Sequence, residues 1–458
     1  MHYPWWYVPF ITSPMLIAVV SVLHIVVSHY AVGGGMFLAF ETRFAYKTGN
    51  KNYLDYLYHH AWFFILITVV YGAITGVGIW WTIGLASPLA TETLIHTFVF
   101  AWAMEYVFFI LEIVSAFVFY YFWGRLTEKT HLLAANIYAF SAWMSLFIIT
   151  GITAYMLNPG TIPSGQSMWS GFFNPQLIPQ VLARTGGAFL LTSLYVYLHA
   201  SFKVKDKELR NLIEKRSATP ALWGAIFITV GGIGWYLMLP ESAKAALAAA
   251  SVLNVLMVLI FALTAAVFAL MYFGPYRNPG WLSPGFAILF FICGFAAITT
   301  GEYVREAVRK PYIIYNDIMG NQIRAREIPG LRKIGYLEGG RWTYAWMKDN
   351  YPQVFNGESI DEKLLLELPE PEQLRIGELL FQYHCNDCHA LREGYSPVGH
   401  MIRGWRPEMI RSTVMHPERA AFFMPPFAGT AEEAEILARF LEKLAPAHPK
   451  GMYYGNQH

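Results

Sequence analysis

Eight long apolar stretches constrain this chain of 458 residues more than any other feature of its sequence. Each is long enough to cross a bilayer, which takes about 20 residues in an α-helix. They lie near 12–40, 60–84, 94–123, 132–157, 179–201, 221–239, 245–273 and 282–303. Only helices fit such runs, because every backbone group in lipid must find its partner within the segment. The sequence therefore predicts an all-α fold, built on a polytopic membrane bundle of about eight transmembrane helices.

The loop charges predict how this bundle is oriented. Lysine and arginine concentrate after the first, third, fifth and seventh stretches, at Arg43, Lys47, Lys51, Arg125, Lys129, Lys203, Lys205, Lys207, Arg210, Lys215, Arg216 and Arg277. The opposite loops are nearly empty of them, with Lys244 as the exception. Basic loops face the cytoplasm. We therefore expect a multi-pass protein of the bacterial inner membrane, with its N-terminus and everything after about residue 304 on the periplasmic side.

The composition changes after the last apolar stretch. A polar connector leads into a segment whose apolar residues have helical spacing, as in PEPEQLRIGELLFQY and AEEAEILARFLEKL. Within the connector, Trp342, Tyr344 and Trp346 would fit either the membrane interface or a loop packed on the next domain. We predict three regions: a haem-binding membrane bundle over 1–310, an extracytoplasmic linker over 311–365, and a small soluble helical domain over 366–458.

The motif CNDCH, from Cys385 to His389, is the attachment signature for c-type haem. Two thiols one turn apart can bond the porphyrin vinyl groups, while the adjacent imidazole reaches the iron. A redox dithiol or half of a zinc site would be the alternatives. The chain has no second cysteine pair, and no sheet pattern surrounds the motif. We predict one covalent haem c, held by Cys385, Cys388 and His389.

The second axial ligand is predicted at Met424. The stretch FFMPPFAG, which precedes the final helical segment, resembles the methionine loop of small class I cytochromes c with one haem. Ligation by histidine and methionine raises the reduction potential. The rival ligands are Met401, Met409, Met415, His400 and His416.

Ionisable residues inside the apolar stretches are a second class of candidates, because such residues at membrane depth are costly. They are His24, His29, His96, Glu105, Glu112, Arg184, Glu302 and Glu306. For any single one, a satisfied hydrogen bond between helices is the alternative. As a group, and with Met257, they match what haem needs, since iron takes histidine, methionine or carboxylate and arginine suits propionates.

Five segments resemble, in order, subunit I of the cytochrome bd oxidase family. They are HIVVSHYAVGGGMFLAFET, GAITGVGIWWTIG, EIVSAFVFYYFWGRL, AYMLNP and GEYVREAVRKPY. The resemblance covers roughly residues 10–312. It implies a homologous second membrane subunit and two or more non-covalent haems of b or d type.

The resemblance also implies roles for individual residues. His24 matches a haem-ligating histidine, and Glu306 matches a ligand of high-spin haem b. Glu112 matches a carboxylate of a proton route to the oxygen-reducing site, with Glu105 one residue out of register with a second one. Met257 matches the methionine that ligates low-spin haem b. Arg309 and Arg184 are the predicted propionate or haem contacts.

Several departures from the family pattern bear on function. The histidine of the fifth helix that ligates low-spin haem b is replaced by Arg184 or Thr185. The segment around PESAKA is too short for the large quinol-binding loop, and a ninth span is absent. Glu302 stands where the family has tryptophan.

We therefore interpret the chain as a membrane haem subunit that exchanges electrons through its own haem c. The first version is an oxygen reductase fed by a soluble or membrane-attached cytochrome c, or another periplasmic redox protein, rather than by quinol. The second is an electron-transfer module without oxygen chemistry, and the third a plain anchor for the cytochrome c domain. No basic block indicates nucleic acid.

Overall fold

The computed structural model describes residues 3–160, 168–281 and 283–445. Within these ranges it has eight helices long and apolar enough to cross a membrane, which confirms the predicted all-α class. The spans are Ser13–Thr48, Lys51–Ala86, Val99–Tyr121, Glu128–Tyr155, Leu177–Lys203, Lys207–Leu237, Ser251–Tyr276 and Pro284–Ala307. The second and seventh spans contain π-helical segments at Leu66–Tyr71 and Tyr272–Tyr276.

The remaining elements are short. The other α-helices are Pro88–Thr97, Met168–Phe172, Glu241–Ala249, Ile328–Ile334, Tyr336–Gly339, Arg341–Asn350, Glu362–Glu367, Glu370–His384, Val398–Met401, Pro407–Met415, Pro417–Ala420 and Ala431–Leu444. Single 3-10 turns occupy Ala325–Glu327 and Pro352–Val354. Tyr312–Ile314 pairs antiparallel with Ile318–Met319, and Phe355–Asn356 with Ser359–Ile360.

Several spans are longer than their apolar stretches. The first span continues to Thr48, and the sixth begins at Lys207, so basic residues predicted in loops lie on the ends of helices. Polar caps begin the second and sixth spans: Asn50 accepts from the backbone N–H of Tyr53 at 3.0 Å, and Asp206 from that of Leu209 at 2.8 Å. Hydropathy therefore locates each span but not its polar turns.

The chain divides into two compact units. We call Val19–Trp80 with Thr93–Arg309 the bundle unit, and Met1–Ala18 with Trp81–Glu92 and Lys310–His458 the C-terminal unit. The fifth span is the central helix of the bundle unit, since 72% of its apolar window is buried. Its Gly186 faces Gly224 so closely that a Cβ there would lie 2.5 Å from the carbonyl oxygen of Gly224. Small residues allow such contact between membrane helices.

The C-terminal unit has one hydrophobic core, to which the connector contributes. Leu337 and Met347 of the connector are buried in the same cluster as Phe381 and Leu437 of the helices that follow. Trp346 packs against this cluster, whereas Trp342 is exposed. Of the two interpretations of the connector, packing on the next domain is the one that the structure supports.

Candidate functional site

The CNDCH motif follows directly on helix Glu370–His384. The backbone N–H of Cys385 donates to the carbonyl of Phe381 at 2.8 Å, and the N–H of His389 donates to that of Cys385 at 3.0 Å. These two bonds continue the winding of the chain past the end of the helix. Both thiols and the imidazole therefore lie on consecutive turns, as covalent haem requires.

The imidazole of His389 has a defined orientation. Its Nδ1 lies 3.0 Å from the carbonyl oxygen of Ser396. A carbonyl only accepts, so Nδ1 carries the hydrogen and the lone pair is on Nε2. Burial lowers the pKa of His389, which keeps the ring neutral. A neutral imidazole fixed through its other nitrogen is the form that ligates iron.

Both thiols of the motif are half-buried and favour the protonated form. Burial raises the pKa of Cys385 and Cys388 to about 12, and Asp387 adds to the effect at Cys388. Among the described residues, no group of three or more histidine, cysteine, aspartate or glutamate side chains could hold a metal ion. Half-buried thiols beside an imidazole whose Nε2 lone pair is available fit thioether attachment of haem.

Met424 lies between helices Pro417–Ala420 and Ala431–Leu444 and is half-buried. Its rivals Met401 and Met409 are about half exposed, and Met415 packs against the core. His400 is exposed, and Nδ1 of His416 lies 3.5 Å from a carboxylate oxygen of Glu418. Ligation by Met424 stays a prediction.

The two variable residues of the motif are held by partners that sequence reasoning missed. Within the C-terminal unit, Nε1 of Trp5 donates to Asn386 at 2.9 Å, and Nζ of Lys310 lies 2.9 Å from Asp387. Asn386 also donates to the carbonyl of His389 at 2.9 Å. No sequence signal marks these contacts, because Trp5 is 381 residues from its partner.

In the bundle unit, the two predicted catalytic carboxylates share a neighbourhood. Oε1 of Glu105 accepts a hydrogen bond from Ser145 at 2.8 Å. Glu112, two turns along the same span, has a buried Oε1 without a hydrogen-bond partner among the described residues. The charges of the two carboxylates interact, and Ser145 is in contact with both. The arrangement can bind and pass protons, and Ser145 is the member that sequence reasoning missed.

His24 is held in the same manner as His389, but by a side chain. Its Nδ1 lies 3.1 Å from the hydroxyl of Thr75, which donates to the carbonyl of Tyr71 at 3.0 Å. The hydroxyl therefore accepts from Nδ1, and Nε2 carries the lone pair. A Cβ at Gly76 would lie 3.2 Å from the ring, so the imidazole packs closely against this glycine. The ring has the tautomer that ligates iron.

Glu306 and Arg309 pair at the end of the eighth span, and Met257 packs against an apolar cluster of the same region. Glu306 forms an ion pair with Arg309, whose side chain is 6% exposed against 38% for Glu306. Nη1 of Arg309 lies 3.5 Å from the sulfur of Met156. Met257 packs against the apolar cluster that contains Val304 and Val308. The arginine predicted to contact propionate thus contacts the predicted iron ligand itself.

The position of the missing fifth-helix histidine is occupied by protein contacts. Nη1 of Arg184 donates to Thr150 at 3.3 Å, and Thr185 accepts from Nε1 of Trp143 at 3.2 Å. The charge of Arg184 interacts with those of His29 and Glu302. Glu302 also pairs with Arg305 at 2.7 Å. The carboxylate that replaces the family's tryptophan therefore balances two buried guanidinium groups.

Family models and a solved structure show what this chain is similar to. Residues 13–238 match the family model of cytochrome bd terminal oxidase subunit I, and residues 372–441 match that of the cbb3-type cytochrome c oxidase subunit III. The solved structure of bd oxidase from Geobacillus thermodenitrificans has the same fold, with a TM-score of 0.55 and 17% identity, over 67% of this chain and 89% of that one. No curated protein sequence matches.

These matches confirm the predicted resemblance and the haem electron-transport class. The chain is a membrane protein similar to bd oxidase subunit I with a cytochrome c domain. The first family match ends at residue 238, so Met257, Glu306 and Arg309 lie beyond it.

Proposed function

We propose that this protein, similar to bd oxidase subunit I, is a haem electron-transfer subunit of an oxygen-reducing membrane complex. Electrons pass between a covalent haem c in the C-terminal unit and two or more haems of b or d type in the bundle unit. The donor is a cytochrome c or another periplasmic redox protein, and the N-terminus and C-terminal unit face the periplasm. A second bd-like membrane subunit completes the complex.

The observation that carries the oxygen-reducing version is the group Glu105, Ser145 and Glu112. Oxygen reduction consumes protons, whereas electron transfer alone does not. A buried carboxylate oxygen without a partner is costly, and inside a membrane it marks a functional site by default. The pair of carboxylates joined by one hydroxyl supplies what a proton path requires.

The residues have separate tasks in this proposal. Haem, when bound, supplies one-electron chemistry. In the C-terminal unit, Cys385 and Cys388 would hold the porphyrin and Nε2 of His389 would bind the iron, while the carbonyl of Ser396 keeps the imidazole ring in place. Met424 is the proposed second ligand.

In the bundle unit, His24 and Glu306 are the proposed ligands of haem iron. Thr75 orients His24, and Arg309 balances the carboxylate of Glu306. Glu105 and Glu112 bind a proton at Oε and pass it on through Ser145. Met257 and Arg184 are the remaining proposed haem contacts.

Donation by cytochrome c rather than by quinol is supported by the connection between the sixth and seventh spans. It consists of the helix Glu241–Ala249 and a few flanking residues. That connection has no room for a quinol-binding loop of the family's size.

The alternative function, electron transfer without oxygen chemistry, is favoured by one observation. Arg184 and Thr185 make protein contacts where the family has a haem-ligating histidine. A complex without low-spin haem b would lack the usual electron entry to the oxygen-reducing site.

Binding of carbon monoxide to the reduced, purified complex separates the two. We expect a spectral shift from a high-spin haem and oxygen consumption with reduced cytochrome c. Absence of the shift would leave only the alternative function, electron transfer without oxygen chemistry. The Glu112→Gln variant tests the proton path. It should lower oxygen consumption while leaving reduction of haem c unchanged.

A further inference from the structure

A buried row of hydrogen-bonding side chains in the bundle unit has no part in the function proposed above. It joins His60 of the second span, His199 of the fifth and Tyr30 of the first. Nδ1 of His60 lies 3.2 Å from Nδ1 of His199, and Nε2 of His60 lies 3.1 Å from the hydroxyl of Tyr30. His60 is 0% and His199 8% exposed. Buried ionisable side chains in a membrane bundle are candidates for function.

The contact between the two histidines requires a shared hydrogen. Two lone pairs or two N–H groups facing each other at 3.2 Å would repel, so one nitrogen donates and the other accepts. With the hydrogen on Nδ1 of His60, Tyr30 donates to Nε2 and His60 donates to His199. With the hydrogen on Nε2, both bonds reverse. Every member donates and accepts, so the row works in either direction.

His131, in the same unit, shows what a structural histidine looks like. It is 1% exposed, and its Nε2 lies 2.9 Å from the carbonyl oxygen of Phe119. Its Nδ1 lies 2.8 Å from the hydroxyl of Tyr46. The carbonyl can only accept, which fixes the hydrogen on Nε2. The hydrogen bonds of His131 therefore have one fixed direction. The hydrogen-bond partners of His60, in contrast, can each donate or accept.

The row begins near the ends of its helices. His199 lies four residues before the fifth span ends at Lys203, and the charges of Lys203 and His59 interact with it. The side chain of His59 is 64% exposed. Water at the helix ends is therefore within a short distance of His199, while Tyr30 lies deeper and is fully buried.

Other titratable groups around the row are held in place. The hydroxyl of Tyr56 lies 3.5 Å from Nδ1 of His60, and the ring of Tyr195 stacks on that of Tyr30 at 4.0 Å. Tyr53 donates to Glu41 at 2.7 Å, and Glu41 forms an ion pair with Arg216. Tyr138 interacts electrostatically with both Tyr30 and Glu112.

We propose that His199, His60 and Tyr30 form a proton-exchange row that leads from the helix ends into the bundle. In each step an N–H or O–H bond breaks as the next one forms, the charge moves by one group, and no bond to carbon changes. Exchange begins when Tyr30 gives its hydrogen to Nε2 of His60, His60 passes its Nδ1 hydrogen to His199, and His199 releases one to water; a hydrogen from water then returns along the same groups in reverse order. Its use in supplying protons for oxygen reduction rests on the proposed function.

Hydrogen–deuterium exchange at Tyr30 tests the row in the purified full chain. After transfer to D₂O, infrared spectroscopy follows the tyrosine band that is missing in Tyr30→Phe. In His199→Gln we expect this band to shift at a rate about tenfold or more below that of the unmodified protein, because exchange then needs local opening of the bundle. Glutamine keeps the size and hydrogen bonding but passes no proton. The control, His131→Gln, should exchange Tyr30 as fast as the unmodified protein.

Equal exchange rates in His199→Gln and the unmodified protein would overturn the proposal. Haem c content and helical circular dichroism show whether a variant has folded, and His60→Asn replaces His199→Gln if that variant has not. The measurement involves no oxygen chemistry. It can therefore fail while the proposed function holds, or succeed while that function fails.

Discussion

The C-terminal unit and the bundle unit hold their predicted iron ligands by the same device, built from different parts. The ring of His389 is fixed by a backbone carbonyl seven residues away, and that of His24 by a threonine hydroxyl 51 residues away. A local backbone contact is available to any sequence that makes the turn. A contact between spans requires a particular side chain, so the bundle unit is the region that mutation disturbs more easily.

Buried carboxylates show a second difference between the units. Glu433 of the C-terminal unit accepts from the backbone N–H groups of Tyr336, Leu337 and Thr430 at 2.7–3.1 Å. Glu112 of the bundle unit has a buried oxygen without a partner among the described residues. Satisfied oxygens indicate a structural role, and an unsatisfied one indicates a role in chemistry.

The largest expected effect is on haem c. His389→Ala should abolish the low-spin spectrum of haem c, because the iron loses a ligand while the thioether bonds to Cys385 and Cys388 remain. Absorption spectra of the reduced protein measure this. His400→Ala, at an exposed position, is the control. An unchanged haem c band in His389→Ala would contradict the motif's role.

Next in size is the loss of a membrane haem. Glu306→Gln should remove a b- or d-type signal and leave the haem c band, since the change affects only the bundle unit. Glu241→Gln, whose carboxylate is 89% exposed, should leave both signals unchanged. If Glu306→Gln kept the full b- or d-type spectrum, Glu306 would not be an iron ligand.

The C-terminal unit should lose stability as pH rises. Burial raises the pKa of Glu433 to about 7, so its protonated form is favoured in the folded state. This contribution is fully present below the unfolded pKa of about 4.3 and is lost as pH rises through about 7, by up to about 3 kcal/mol. Thermal unfolding followed at several pH values across about 3 units, from about pH 5 to about pH 8, measures this loss of stability.

Glu433→Gln should flatten this pH dependence, because its side chain does not ionise. Glu432→Gln, at the adjacent, half-buried position, should keep the slope. Equal slopes in Glu433→Gln and the unmodified protein would assign the dependence to other groups.

The smallest effect compares the two ways of fixing a histidine. Thr75→Val removes the partner of His24 and should weaken haem binding in the bundle unit by about 10–100-fold. Ser396→Ala keeps the backbone carbonyl that holds His389 and should leave haem c unchanged. Titration of haem into protein prepared without it measures the first, and absorption spectra the second. Equal effects of the two substitutions would show that fixing a histidine through a side chain and through a backbone carbonyl are equivalent.

The sequence predicted the parts of this molecule that are local or repeated along the chain. Eight apolar stretches predicted eight spans, and five consecutive residues predicted the haem c motif. The polar ends of the spans were missed, because hydropathy does not register capped, charged turns. Thr75, Ser145 and the pair His60 and His199 were missed as well. Their roles come from contacts between helices, which no spacing along one helix reveals.

The number of haems per chain, by type, tests the central claim most directly. Pyridine haemochrome spectra of the purified complex separate covalent haem c from non-covalent haems. The account predicts one haem c together with at least two non-covalent haems, which Glu306→Gln reduces by one. Haem c alone would contradict it, because the bundle unit would then be an anchor and carry no electrons.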